Sequence, residues 1–456
     1  MANRDRSIGK EAGQPASLSV KLAKNQFYTV SITDLNNLGM GVCRIGELVV
    51  FVRGAVTGDV AKIRILKVCR SYAVAKIEEL LTPSEIRITP VCPIFGKCGG
   101  CVYGNITYEA EKRIKRDSVL AALRKAGLAD VRVAPLLCVG ETGGYRNKVQ
   151  YPVAPNGKIG YYAPHSHTVI PCEKCDLQAR AMDEPLARVR AWMQTYQVFP
   201  RHLYLRYAKQ TGQILVCLVS QTPTLPHEAE LVEMLKSCSD VVSVLVNVQP
   251  EETNVILGKT CRTLYGTDFM EDVLCGLTFR IAARSFYQVN HDAAELLYRK
   301  VYALSGIKAG DRIVDLFCGT GTIGLFCLSQ CPDASLIGVE VTPEAVENAR
   351  ENARRNHLAN AVFSCADAND PHLKGADVLI LDPPRKGCEA QLITQIAALR
   401  PRRVIYVSCD PNTFARDLSL FRQAGFSIGE VTPVDLFPRT GHVENVVCLV
   451  GSRESD

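Results

Sequence analysis

A cysteine stands where an apolar run gives way to a helix. In residues 404–411, VIYVSCDP, four apolar or β-branched residues lead into Ser408 and Cys409, and Asp410-Pro411 opens the helical pattern NTFARDLSLFRQAGF. Aspartate at the cap, proline at the first helical position and a closing Gly425 are strong boundary signals. Cys409 is therefore expected between a buried strand and a helix N-terminus, where free N–H groups and the helix dipole favour a thiolate, the nucleophilic form of the side chain. The alternative is an inert loop cysteine, and the chain has 19 cysteines.

Two more motifs are expected at the same edge of a sheet, because ligands of open α/β sheets bind beyond the carboxyl ends of the strands. DLFCGTGTIG, residues 315–324, follows a buried strand and opens a helix. It matches the dinucleotide fingerprint, and Glu340 near the end of the next strand suits ribose hydroxyls, so an NAD enzyme is one reading. Asp315 argues against it. A carboxylate ahead of the glycines repels a pyrophosphate and attracts a sulfonium with its ammonium group, as in class I S-adenosylmethionine methyltransferases. Asp367, in SCADA, stands where such enzymes bind the adenine side, and Thr342-Pro343 caps the helix after Glu340. The second motif is DPPRKG, residues 382–387. Asp382 ends a strand, and two prolines stiffen the turn after it. A rigid carboxylate there can accept a hydrogen bond from a nucleobase edge; a strained structural turn is the alternative. Arg385 and Lys386 could meet phosphate.

Methyl donor, acid and thiolate together suggest one chemistry. Carbon 5 of uracil is a poor nucleophile, and a thiolate adding at C6 makes it an enolate carbon able to take a methyl group. A base must then remove the C5 proton so that the cysteine can leave. Glu444, in GHVENVVCLV, is the candidate, against a solvated carboxylate at a strand edge.

A separate group is Cys92, Cys98 and Cys101 in CPIFGKCGGC. Thiolates this close need a soft cation to relieve their repulsion. Cys172 and Cys175 are candidates for a further ligand, with Cys138 behind them. Spacing leans towards zinc on the pairs Cys98/Cys101 and Cys172/Cys175; a [4Fe–4S] cluster would use the first three plus one distant cysteine.

The surrounding elements must position these groups. Residues 26–80 alternate, with frequent glycines, and read as a small β-barrel of about five strands. Arg53, Lys62, Arg64, Lys67 and Arg70 give it a basic tilt. Residues 105–127 read as a basic helix carrying Lys112, Arg113, Lys115, Arg116, Arg124 and Lys125, either a solvated face or a nucleic-acid contact. Residues 130–275 are mixed, with a hairpin expected at Asn156-Gly157, a helix at 183–197, and a solvated turn at Tyr145-Arg146-Asn147-Lys148. After residue 283, strands and helices alternate, which predicts a parallel sheet covered on both faces. With 22% charged and 47% apolar residues the chain can pack a core, and a net charge of +6 says little about partners. No apolar run of about 18 residues occurs, so no membrane span is expected. The polar N-terminus reads as a disordered tail rather than a signal peptide, which predicts a cytoplasmic location and reduced thiols.

The motifs CPIFGKCGGC, YRNKVQYPV, SFYQVN, DLFCGTGTIGL, DPPRKG, YVSCDPNTFARDL and HVENVVCL, from about residue 22 to 450, resemble those of bacterial RNA uracil-C5 methyltransferases, most of all the 23S rRNA branch. The barrel resembles a TRAM domain, an OB-like RNA-binding module. The resemblance implies a tail at 1–21, a TRAM barrel at 22–82, a central domain with an iron–sulfur cluster at 83–282, and an α/β Rossmann-like methyltransferase domain at 283–456. It implies Cys409 as nucleophile and Glu444 as proton acceptor. It implies cofactor contacts by Gln288, Phe317, Thr322, Glu340 and Asp367, with Asp382 near both cofactor and uracil. It implies a [4Fe–4S] cluster on Cys92, Cys98, Cys101 and Cys175, in place of zinc. RNA is the implied partner, and a monomer the implied state. Rival readings are a tRNA uracil-C5 enzyme, an RNA cytosine-C5 enzyme, which usually carries a Pro-Cys motif where this chain has DPPRKGC, and a non-catalytic RNA-binding factor.

Overall fold

The computed structural model describes residues 22–368 and 375–451, in two compact units that divide between Arg87 and Ile88. The expected N-terminal tail lies outside the described residues.

In the first unit one sheet runs in the order Phe27–Ser31, Val60–Val68, Tyr72–Thr82, Leu48–Arg53, Met40–Ile45 and the two-residue strand Asp34–Leu35. Alternate residues Val50 and Val52, Ile63 and Ile65, Ala73 and Ala75 are fully buried, as a strand's period of two requires. Arg53, Lys62, Lys67 and Arg70 point outward, and the Lys62 ammonium sits over the exposed Phe27 ring.

The second unit holds two large sheets. The central one has the order Thr260–Gly266, Val241–Val248, Ile214–Ser220, His202–Tyr207, Lys148–Pro152. Helix Asp183–Tyr196 packs Trp192 into its core, with the indole N–H donating to the His227 carbonyl at 2.7 Å. The turn at Asn156-Gly157 forms, closed by the Ala154 N–H donating to the Lys158 carbonyl at 2.8 Å and by the bridge Val153–Ile159. Strand Gly160–Tyr162 then pairs with Val169–Pro171 instead of completing the expected hairpin with Lys148–Pro152. Lys148–Pro152 pairs with His202–Tyr207 and forms the edge of the central sheet.

The C-terminal sheet has the order Ala361–Cys365, Ser335–Glu340, Arg312–Leu316, Val378–Leu381, Arg403–Ser408, Glu444–Gly451, Phe426–Ile428, with Thr432–Val434 also pairing the strand Glu444–Gly451. The first five strands are parallel; Glu444–Gly451 runs antiparallel, so the sheet is mixed rather than wholly parallel. The chain returns from helix Pro411–Gln423 through the short strands at 426–434, and the last strand therefore enters from the opposite direction. This reversal brings the start of the last strand, Glu444, beside the end of Arg403–Ser408.

The two sheets of this unit share a core. Tyr204, Leu215, Cys217 and Leu245 from the central sheet pack with Phe279, Leu297, Tyr298, Ile313, Ile405 and Val446. Full burial of each large apolar side chain contributes roughly 1.5–3 kcal/mol, so this continuous core joins the sheets firmly. Among the described residues no helix is long and apolar enough to cross a membrane.

Candidate active site

The glycine loop is held from below by Asp315. Its Oδ2 accepts the Gly324 N–H at 3.0 Å, and a Cβ on Gly324 would lie 2.7 Å from that oxygen, so only glycine fits. Glu340 closes the loop from the next strand, accepting the Gly319 N–H at 3.2 Å and the Thr342 N–H at 2.9 Å. Thr342 is the N-cap residue of helix Pro343–Arg355, with proline at the first position. Phe317 adopts a left-handed backbone, φ 63°, which for a bulky residue costs on the order of 1–3 kcal/mol and tends to occur where a site demands it. Thr322 shares a hydrogen bond of 2.8 Å with Tyr298.

A cavity of about 750 Å³ opens beyond these strand ends. Gln288, Phe317, Thr322, Glu340, Asp367, Asp382, Cys409 and Glu444 all line it, together with Asp315. Its size suits a ligand larger than a metabolite fragment. Two buried carboxyls, Asp315 and Glu444, and the half-buried Asp382 converge on it. Burial pushes Asp315 up to about 8, with Asp382 and Glu340 adding to the shift and the Gly324 N–H opposing it. Burial raises Asp382 to about 6 and Glu444 to about 8; Asp382 raises Glu444 further and Arg385 opposes. The Asp315 Oδ1 atom is buried with no hydrogen-bond partner among the described residues. Arg385 and Lys386 line the same cavity, and a positively charged ligand with N–H donors would add to their effect and favour the ionised acids.

The thiol does not behave as the sequence suggested. Asp410 does cap helix Pro411–Gln423, but its Oδ1 accepts the Asn412 and Thr413 N–H groups at 2.9 and 3.0 Å. The donors expected to stabilise a thiolate are thus spent on the cap. Burial, then Glu444 and Asp382, push the Cys409 thiol up to about 11, while Arg385 pulls it down. Cys409 rests protonated, and burial with two facing acids outweighs the dipole.

Sequence reasoning missed several cavity residues. Phe286 and His442 line it, each two positions before an assigned residue, Gln288 and Glu444. In extended chain that spacing places them on the same side, which was the available signal. His442 Nε2 lies 3.3 Å from an Arg385 guanidinium nitrogen. Asp417 anchors the DPPRKG turn from the helix after Cys409, accepting the Cys388 N–H at 2.8 Å and the Tyr406 hydroxyl at 2.6 Å.

Two expectations about basic residues fail. Tyr145–Lys148 is not a solvated turn. The Tyr145 hydroxyl donates to the Pro438 carbonyl at 3.0 Å, and Asn147 is buried with its amide donating to the Gln288 carbonyl at 2.9 Å. Burial, Arg206 and Arg146 depress Lys148 to about 8. On helix Tyr108–Lys125, Lys115 is buried between Glu111 and Asp435, at 2.8 Å from each, and Arg116 donates to the Val133 and Ala134 carbonyls. Arg113, Arg124 and Lys125 stay exposed. The 3.6-residue period decides which cation faces inward, and charge counting ignores it.

The cysteines of this group lie near enough to act on one another. Burial and then the neighbouring Cys175, Cys98 and Cys92 side chains push Cys101 up to about 12. Cys175 and Cys92 likewise raise Cys98, after burial. A set of thiols fits a thiophilic metal by donor chemistry. Among the described residues, however, no three His, Cys, Asp or Glu side chains stand in an arrangement that could hold a metal ion.

Comparison with known proteins agrees with this geometry. A family profile described as a TRAM domain matches residues 21–77, and one described as a methyltransferase domain matches residues 307–423. An uncharacterized RNA methyltransferase of Clostridium acetobutylicum is 37% identical over 453 residues, covering 94% of this chain and 98% of the relative. The chain belongs to the RNA methyltransferases. A further member, from Listeria innocua, is 35% identical over 447 residues, covering 94% of this chain and 98% of its own. Among solved structures, this RNA methyltransferase is similar to the Pyrococcus abyssi tRNA (uracil-54, C5)-methyltransferase in complex with S-adenosyl-L-homocysteine. The TM-score is 0.78 at 26% identity, over 93% of this chain and 100% of that one.

Proposed function

We propose that this RNA methyltransferase transfers a methyl group from S-adenosylmethionine to C5 of a uridine, with 23S rRNA as the first substrate reading, through a covalent bond between Cys409 and C6. The observation that carries the reading is a cysteine sharing one cavity with three acids, Asp315, Asp382 and Glu444. The likeness to a tRNA uracil-C5 enzyme supports the chemistry and keeps tRNA as a second substrate reading.

S-adenosylmethionine, bound along the glycine loop, supplies an electrophilic methyl group and a positive charge. Gln288, Phe317, Thr322, Glu340 and Asp367 are the residues proposed to hold it. Asp315, with its unpartnered Oδ1, suits an ammonium donor. Neutralising the acids beside Cys409 removes part of what raises its thiol, and with Arg385 beside it the thiol releases its proton to solvent and forms the thiolate. The thiolate adds to C6, charge accumulates towards C5, and Asp382 orients the base edge; C5 would then bond to the methyl carbon as that carbon's bond to the donor sulfur breaks, leaving a neutral thioether. Glu444, ionised beside Arg385 and the bound cation, takes the C5 proton as a carboxylate after methylation, and the C6–S bond breaks to restore the ring double bond and the thiolate.

The uridine must leave its stack to reach Cys409, at a cost of a few kcal/mol. The TRAM unit, spanning 22–82, is proposed to hold flanking RNA through Lys62, Lys67 and Phe27, ahead of a central domain at 83–282 and a methyltransferase domain at 283–456. Cys92, Cys98, Cys101 and Cys175 are proposed to hold a [4Fe–4S] cluster, with zinc as the alternative. Iron and acid-labile sulfide in anaerobically purified protein test this. Incubation with RNA carrying 5-fluorouridine tests the chemistry. A covalent complex that needs both S-adenosylmethionine and Cys409 supports it; none forming overturns it.

A further inference from the structure

Two cations face each other in the central sheet. Lys148 opens the edge strand Lys148–Pro152, and Arg206 stands directly opposite it in the antiparallel strand His202–Tyr207. Like charges opposed in this way repel and weaken a sheet. Neither is turned out to water: Arg206 is only 3% exposed and Lys148 is half-buried. Their face can be read from the strand period of two. Leu205 and Val149 pack into the core with Trp192. Tyr204, on the same side as Arg206, packs instead with Leu297, Ile313 and Ile405 of the C-terminal half. The cation pair therefore lies on the face of the central sheet turned towards the methyltransferase sheet.

Their partners are all neutral. The Arg206 guanidinium donates to the Tyr204 hydroxyl and the Ser285 carbonyl. Arg146, two residues before Lys148, adds a third cation, and its Nε is buried with no hydrogen-bond partner among the described residues. None of the three forms an ion pair with a carboxylate among the described residues. Lys148 is depressed accordingly, by burial and then by Arg206 and Arg146. Arg146 also pulls the Cys98 and Cys101 thiols down, so its charge is shared with them, and the Lys148–Arg206 pair carries the argument. The pair borders the methyl-transfer cavity. Ser285, held by Arg206, leads into Phe286, Tyr287, Gln288 and Val289, which all line that cavity. Asn147, between Arg146 and Lys148, donates to the Val289 and Gln288 carbonyls, both at 2.9 Å. The Phe286 ring is exposed, so this stretch reaches from the cavity to the surface.

We propose that Lys148 and Arg206, with Arg146, form a binding site for a phosphodiester group of the RNA beside the extruded uridine. Opposed, buried and unpaired cations cost stability, and an anion arriving between them removes that cost. A phosphate oxygen accepts from an ammonium and from a guanidinium fork alike, and such contacts fix the register of a nucleic acid without reading its sequence. The molecule's charges are then divided between its two ligands: Asp315, Asp382 and Glu444 face the cationic methyl donor, and this group of cations faces the anionic RNA. The placement beside the target base rests on the proposed uridine chemistry; the need for an anion does not. A free phosphate ion offers the same chemistry, and the experiment separates the two.

Lys148→Met and Lys148→Arg in the full chain test this, with sodium phosphate and a short fluorescent oligouridylate as probes. Removing a repelled charge is expected to raise the thermal midpoint of Lys148→Met in chloride by about 2 °C, and added phosphate should then stabilise the parent but not the variant. Oligouridylate affinity is expected to fall about tenfold with a salt slope shallower by about one, while S-adenosylhomocysteine affinity stays within about twofold. Lys148→Arg, which keeps the charge, should recover that affinity to within about threefold. A Lys148→Met chain that binds oligouridylate as tightly as the parent, or that melts below it in chloride, overturns the site. Phosphate stabilisation lost without any loss of oligouridylate affinity assigns the cations to a small anion and overturns the RNA assignment. The function reading fails separately: if the binding results hold but no 5-methyluridine forms, the site stands and the uridine reading falls. If Lys148→Met makes 5-methyluridine with the parent's KM for RNA, the site falls and that reading stands.

Discussion

Cys409 and Cys101 are both held as thiols, but by different neighbours. Burial comes first for each. At Cys409 the further push comes from the carboxyls Glu444 and Asp382, and Arg385 opposes it. At Cys101 it comes from other sulfurs, Cys175, Cys98 and Cys92, and Arg146 opposes it. A raised thiol therefore does not by itself say what a cysteine is for. The identity of the neighbours says more: oxygen acids beside a lone sulfur suit a charged organic ligand, and sulfurs beside a sulfur are the donor type a soft metal prefers, although among the described residues none is arranged to hold one. Either ligand would lower the thiol it joins, one by neutralising acids and the other by direct bonding.

The sharpest break of this comparison is at the lone sulfur. Cys409→Ala is expected to cut methyl transfer by at least about a thousandfold while S-adenosylhomocysteine titrates as in the parent chain. Isotope transfer and calorimetry check both halves, and more than a few per cent of residual rate contradicts the nucleophile assignment. Next comes Glu444→Gln, expected to lower turnover by about 10²–10⁴-fold and to accumulate an RNA–protein adduct stable to denaturing electrophoresis. Turnover without adduct would move the proton acceptor elsewhere.

Cys101→Ser addresses the other side. If the proposed cluster is present, it should remove that metal and lower methyl transfer, yet leave S-adenosylhomocysteine affinity within about twofold. Loss of that affinity along with the metal would merge the two regions into one.

A smaller effect comes from pH. Glu444 has a folded pKa near 8, above its unfolded value, so the folded state holds its proton longer. Its neutral form stabilises fully below the unfolded pKa, near 4.5, and that stability is lost as pH rises through about 8. Glu444→Gln should therefore raise the thermal midpoint more at about pH 9 than at about pH 5, and an equal gain at both would contradict the burial argument. The smallest expected effect is Lys62→Ala in the TRAM unit, a few-fold loss of RNA affinity and a salt slope shallower by about one.

The C-terminal half was readable because its signals are local. A strand, a cap and a glycine turn each announce themselves within a few residues, and the Asp315, Glu340 and Cys409 segments all reached one sheet edge as expected. What was not readable depends on partners far along the chain. Lys115 looked solvated because its partner Asp435 lies 320 residues away. Tyr145–Lys148 looked like a turn because the segments that bury it, around Leu177, Gln288 and Pro438, are distant in sequence. The antiparallel last strand was hidden for the same reason, since direction is set by the route of the chain and not by its composition. The thiol of Cys409 was misjudged because the cap residue beside it takes the very N–H groups that were assigned to it.

The most direct measurement is nucleoside analysis after incubating the protein and S-adenosylmethionine, labelled in its methyl group, with unmodified 23S rRNA and, in parallel, with unmodified tRNA. The account predicts label in 5-methyluridine from one of the two RNAs, and none with Cys409→Ala. Label in 5-methylcytidine or in a ribose methyl, or 5-methyluridine formed equally well without the Cys409 sulfur, would contradict it.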